Sequence, residues 1–401
     1  MVAKINADTS GGLKITSDTS GTLEIQSAGT TKFTVNSAGV DIPAIGTING
    51  LTSINGGQVG GRRNLVINGE MQVSQRVGTT ATATGNNTYI IDRYTTFASG
   101  GAAYTVQQVT DTPAGFKNAA KVTITTADSS IAAGAYALMQ YRAEGVDIAH
   151  LNCGTSDAET VTLSFWVKSS LTGNFGGSWR NSAADRTYPY LYNIAQANTW
   201  EKKSITLTLD TTGTWLTTTG IGLVFMWDFG SGTNFQGTAD QWQAGNFHSA
   251  GSQVKLTSTN GATWYVTGVQ LEIGSTATEF EHKSFGEELA LCQRYCYGQN
   301  NSAGQNYYWF GTSAGIAANA GFGMVTFPIT MRVQPTATIS AANTFLCDGA
   351  NATATSIVND QRGVNGGALF LTGTSGWGTG YAGRFMSNGT SAAFIIWSAE
   401  L

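Results

Sequence analysis

Beyond residue 61 the chain is written in short runs of alternating apolar and polar side chains, punctuated by clusters of Gly, Asn, Ser and Thr. Residues 104–109, 121–125, 161–167, 203–209, 220–227 and 264–271 are such runs. A period of two sends successive side chains to opposite faces, so each run reads as a strand with one buried face. Many strands at short spacing, with no helical period between them, predict an antiparallel two-sheet sandwich over residues 62–283. Within 161–167, Leu163, Phe165 and Val167 are expected to face its core and Trp166 to point the other way.

The first 61 residues follow a different rule. Asp8, Ser10, Gly11, Leu13, Ile15 and Ser17 return ten residues later as Asp18, Ser20, Gly21, Leu23, Ile25 and Ser27, and a third copy keeps Phe33, Val35 and Ser37. Each unit reads as a turn and a short strand. Two apolar side chains per unit cannot enclose a core within one chain, and isolated short hairpins are marginal in water. Burial is therefore expected from association, identical chains turning Leu13, Ile15, Leu23, Ile25, Phe33 and Val35 toward a common axis. A single-chain meander leaning on the next domain is the alternative. Residues 42–61, rich in glycine, read as a linker.

One short helix interrupts the strands. Ser284 and Glu287 stand at capping-box spacing, and Leu289, Cys292 and Cys296 then share a helical face, with Gly298 as the stop. A helix of this length is unstable alone, so the 284–298 segment must pack on the sandwich or on its own copies. Leu289, Cys292 and Cys296 thereby join the candidates for a core shared between copies. Residues 299–401 form a further strand-rich region, in which 324–332 and 335–339 read as two strands joined by a turn at Gln334 and Pro335. The runs 368–371 and 393–397 read as later strands. The expected fold is all-β: a short-strand repeat region, an antiparallel sandwich, a linking helix and a β-rich tip domain.

Composition narrows the function classes. Only 11% of residues are charged and the net charge is -4, with no run rich in Lys or Arg, which argues against nucleic acid as a partner. Hydrophobic content of 41% argues against disorder. No apolar stretch approaches the length of a bilayer span, and the opening residues carry no secretory signal, so assembly in a cytoplasm without membrane insertion is expected. Cys153, Cys292, Cys296 and Cys347 are too few for a disulfide framework and read as free thiols. With three histidines and no second cysteine pair, neither a zinc site nor another cofactor is expected.

Several runs carry a resemblance when taken in order: 63–69 with Gln72, Gln75, Arg76 and 92–94; 163–169; 198–203; 213–215; 266–274; 277–282; and 289–295. Together they resemble a module of bacteriophage tail-fibre and prophage structural proteins, over about residues 62–297. That module is similar to jelly-roll carbohydrate-binding domains. The resemblance implies a jelly-roll sandwich and a virion component assembled in the host cytoplasm. It further implies a homotrimer, as is the habit of phage fibres, with the N-terminal region contacting other virion proteins. The family's usual Pro before the Phe-Glu pair is replaced by Glu279, which should alter the local turn only.

An enzyme is not expected. His150, His248 and His282 each lack a flanking nucleophile motif, no stretch suggests paired carboxylates, and phosphate and calcium loops are missing. Binding of host surface polysaccharide is better supported, because sugars need aromatic plates beside amides, carboxylates or guanidinium groups. Trp166 is one candidate contact. Trp179, Arg180, Asp185 and Tyr188 sit in a stretch that reads as a polar loop, and Trp377, Tyr381 and Arg384 lie in a glycine-rich segment of the last region. Core or subunit-interface packing is the competing role for each tryptophan. A purely architectural virion part and a polysaccharide depolymerase are the alternative functions.

Overall fold

The computed structural model describes residues 62–300, 305–347, 352–373 and 378–401, with the backbone of the strands Leu23–Ser27, Thr30–Asn36, Gly39–Asp41, Ser53–Ile54 and Gly57–Gln58. Two units divide the chain, residues 1–54 and 55–401. In the first, three strands make an antiparallel sheet whose register sets Leu23 opposite Val35 and Ile25 opposite Phe33. The apolar positions of two repeats thus share one row of the ladder. Leu13 and Ile15 lie outside the described residues.

The second unit is all-β with several antiparallel sheets. A six-stranded sheet runs Glu201–Thr208, Thr160–Ser169, Thr263–Ile273, Ala119–Thr126, Ala103–Val109, Thr82–Ala83. Facing it, a seven-stranded sheet runs Gln243–Ala244, Arg186–Ile194, Gly173–Arg180, Ile221–Asp228, Tyr136–Glu144, Tyr94–Ser99, Thr88–Tyr89. Val161, Leu163, Phe165 and Val167 are fully buried, as the alternation of their strand requires. They meet Trp227, Trp264 and Tyr192 between the sheets; Phe165 stands edge-on to Trp227, and the Trp264 indole donates to the Tyr192 hydroxyl at 3.0 Å. Each such ring contributes roughly 1.5–3 kcal/mol by leaving water.

Residues of the runs 63–69, 266–274 and 277–282 form a latch that closes this sandwich. The Asn64 amide donates to the Val269 carbonyl at 3.1 Å, and its oxygen accepts from the Val66 and Leu271 backbone N–H groups. Glu272, also fully buried, accepts from the Thr278 N–H at 2.9 Å and from the Gln270 amide at 2.8 Å. A buried carboxylate is tolerated only when so satisfied, which explains why a Gln–x–Glu pair closes the module.

The helix spans Phe285–Gln293 and opens with the expected capping box between Ser284 and Glu287. It is shorter than its sequence suggested, because Cys296 belongs to the strand Cys296–Asn300 and not to the helix. Cys292 and Cys296 are both fully buried inside the chain. This corrects their assignment to a subunit seam: Cys292 packs with Ile67, Val73 and Tyr295, with Leu289 half-buried against the same cluster.

The strands Cys296–Asn300, Phe394–Ser398 and Thr336–Ile339 form a small sheet beside a closed barrel of Trp309–Ala317, Ala320–Thr326, Gly366–Gly373, Ala352–Arg362, Phe345–Cys347 and Ala382–Ser387. The expected hairpin over 324–339 is not formed. Its first strand ends at Thr326 in the barrel, while Thr336–Ile339 pairs with Phe394–Ser398. Residues 398–401 return to the sandwich: Arg93, 1% exposed, forms an ion pair with Glu400, and its guanidinium lies 3.5 Å above the Tyr295 ring. Arg76 bridges Glu400 and the fully buried Asp92 at 3.3 and 3.4 Å.

Candidate functional site

Strand register fixes which side chains leave the seven-stranded sheet on its outer side. Tyr141, Phe225 and Trp227 turn to the core. Leu138 stands opposite Phe97 and Asp228, Gln140 opposite Met226, and Arg142 opposite Val224. Ser178 and Arg180 extend the same rows on the next strand, opposite Met226 and Val224. Leu138, Val224 and Met226 make a small apolar cluster there with Phe97, Tyr136 and Ile221. Exposed, this patch would be unfavourable to hydrate.

Residues 229–256 fold over it as a flap. Asp228 holds the near end, accepting from the Gly230 N–H at 2.5 Å, and the Val254 N–H donates to the Asn174 carbonyl at 2.6 Å at the far end. Gly237 and Ala250 pair within the flap itself. Gly176 is where flap and sheet touch: a Cβ at that position would stand 1.8 Å from Ser249 Oγ, so only glycine permits the approach.

Where flap and sheet part, a cleft of about 230 Å³ remains. Tyr136, Phe235 and His248 form its aromatic wall. Phe235 and His248 stack in parallel, 3° apart with centroids at 4.4 Å, and Tyr136 meets them edge-on at 5.2 and 5.3 Å. His248 is buried with its Nδ1 3.1 Å from Ser231 Oγ; burial, aided by the nearby Arg180 charge, pushes the imidazole down to about 3. It is therefore neutral near pH 7 and acts as a flat ring.

Gln140, Asn246 and Arg180 supply the polar side. The Arg180 guanidinium donates to Asn246 Oδ1 at 3.3 Å, while its Nε is buried without a partner. Burial and the neighbouring Arg142 charge lower its pKa to about 10. Rings beside amide and guanidinium donors are a chemistry suited to a sugar, whose C–H faces pack on aromatics while its hydroxyls take hydrogen bonds.

Of the described residues singled out from sequence as glycan contacts, Arg180 alone lines this cleft. Trp179 is a correction: it is fully buried between the sheets and contacts no solvent. Of the supposed polar loop only residues 181–185 are a turn; Trp179, Arg180 and Tyr188 lie on the paired strands Gly173–Arg180 and Arg186–Ile194 that it joins. Asp185 is exposed and accepts from the Asn181 amide at 2.6 Å, while Tyr188 is half-buried against Trp242. Trp166 is half-buried beside Phe116 and Gly268 on the six-stranded sheet. Tyr381 and Arg384 are exposed on the barrel, and Trp377 lies outside the described residues.

Sequence reasoning missed Phe97, Tyr136, Gln140, Phe235, Asn246 and His248. The signal available was the 136–142 alternation of Tyr, Leu, Gln and Arg, together with aromatic and amide residues crowded into 234–248. A second aromatic surface, Tyr307 and Trp309 at 59% and 60% exposure, stands on the barrel, where Trp309 borders a cavity of about 370 Å³.

No family model and no curated protein matches the chain. Among solved structures it is similar to the enzymatically active domain of tailspike protein 4 of bacteriophage CBA120, at 13% identity and a TM-score of 0.28, covering 52% of this chain and 21% of that one. A family 11 carbohydrate-binding module of a Clostridium thermocellum cellulosomal cellulase is similar at 15% identity and a TM-score of 0.24, over 51% of this chain and 99% of the module. A xylan-binding domain from Paenibacillus barcinonensis gives 11% identity and a TM-score of 0.24, over 50% and 99%. At such distances the functional reading has to come from the cleft itself.

Proposed function

We propose that this chain is a non-catalytic, glycan-binding component of a bacteriophage fibre, which holds a sugar in the cleft on the outer face of the seven-stranded sheet. The observation that carries this reading is the juxtaposition of Tyr136 and Phe235 with Gln140, Asn246 and Arg180. The phage context rests on the ordered resemblance over residues 62–297 and on the N-terminal repeat, whose register aligns apolar positions for burial by other copies. Three copies would raise the avidity of a weak site without adding contacts.

The test is binding to an array of bacterial surface polysaccharides. Tyr136→Ala and Phe235→Ala are each expected to weaken the best signal roughly tenfold, the value of one aromatic contact. Trp309→Ala on the barrel should leave that signal unchanged. Undiminished affinity in both cleft variants, with unaltered melting temperature, would remove the cleft from the account. The bound polysaccharide is expected to gain no reducing ends on incubation, and a native mass of three chains is expected for the free protein. New reducing ends would support the depolymerase reading, and a one-chain mass would contradict the fibre assembly.

A further inference from the structure

The Arg180 guanidinium enters a cleft whose lining holds no carboxylate among the described residues. The charge that acts on it most strongly is that of another cation, Arg142. Gln140 lies between the two and cannot serve both. Its oxygen is 3.3 Å from Arg180 Nη2, but with the amide turned over it stands 2.7 Å from Arg142 Nε and 3.0 Å from Arg142 Nη2. The turned orientation is the better bonded, and it leaves Arg180 with the 3.3 Å contact to Asn246 and a buried, unpartnered Nε. A guanidinium partly withdrawn from water is unfavourable unless paired, and its planar fork matches the two oxygens of a carboxylate.

We infer that the cleft selects an acidic glycan, seating the carboxylate of a uronic-acid-type sugar on Arg180 while the ring packs against Tyr136 and Phe235. This deepens the glycan-binding reading and rests on it. Gln140, in its turned orientation, keeps its oxygen on Arg142 and leaves Arg180 to the anion.

The experiment compares matched probes. Short hexuronate oligosaccharides from alginate, pectate and hyaluronan are titrated against the same oligosaccharides with their carboxyl groups reduced to alcohols. Wild-type protein is expected to prefer at least one acidic form by roughly tenfold or more, as a charge-assisted pair provides. Arg180→Met should abolish the preference, the acidic form losing roughly tenfold more affinity than the neutral form, while Arg180→Lys should retain part of it. If Arg180→Met fails to fold, the wild-type ratio still decides. Equal affinity of wild type for acidic and neutral members overturns this inference and leaves the glycan reading standing. Binding of no member of either set overturns the inference outright, whereas the glycan reading is judged by the polysaccharide array. A preference that persists in Arg180→Met also overturns it.

Discussion

Replacing Glu400 with alanine is expected to destabilise the protein by about 3–5 kcal/mol, measured as the loss of unfolding free energy in denaturant titration. The reason is charge balance in a buried network. Arg93 and Arg76 face Glu400 and Asp92, and all four are shielded from water. The Arg93 guanidinium has its Nη2 on the Arg142 carbonyl at 2.6 Å and its face over Tyr295, so it cannot turn out to solvent when its partner is removed. Truncation of one partner leaves a buried cation uncompensated, a loss comparable with much of a typical domain's stability. The double variant Arg93→Met with Glu400→Leu is expected to recover most of the loss, because an apolar pair has no desolvation penalty. A Glu400→Ala effect below about 1 kcal/mol would mean that the network is solvated and holds nothing.

Acid is expected to act on the flap through two groups of opposite sign. His248 is depressed from 6.5 to about 3, so the stability it contributes is fully present above pH 6.5 and is lost as pH falls toward 3. Over the whole interval this amounts to about 5 kcal/mol, at roughly 1.4 kcal/mol per pH unit. Asp228 is raised from 3.8 to about 6 by burial, so its contribution is present below pH 3.8 and lost as pH rises through 6, about 3 kcal/mol in all. Between pH 4 and 6 the two nearly cancel. Asp228→Asn should therefore lose stability relative to wild type on acidification over that window, and His248→Phe should gain it. Parallel stability profiles for wild type and both variants would show that neither group titrates differently in the folded protein.

What could be read from the chain follows from where alternation is intact. The run 161–167 has an apolar residue at every second position, Trp166 being the one apolar residue on its other face, and its inward set is fully buried as expected. The strand Gly173–Arg180 shows no alternation because Gly173, Gly176 and Gly177 erase it, so its end at Trp179 and Arg180 reads as loop; yet Gly176 is small because Ser249 of the flap lies on it, a contact from 73 positions away. The cleft was illegible for the same reason. Its two halves are separated by about a hundred residues and meet only through sheet register and the flap's return. The family-like runs are misleading as site markers, since Asn64, Gln270 and Glu272 are spent on closing the sandwich. Residues 299–401 read as a detachable tip, and nothing local announces that Glu400 reaches back to Arg93.

The most direct measurement is diffraction from crystals of the protein soaked with an oligosaccharide that it binds in solution. A sugar ring should be ordered against Tyr136 and Phe235, with a polar bond to Arg180 or Asn246. An ordered sugar on the barrel beside Trp309, or on the six-stranded sheet beside Trp166, with nothing in the cleft, would contradict the account.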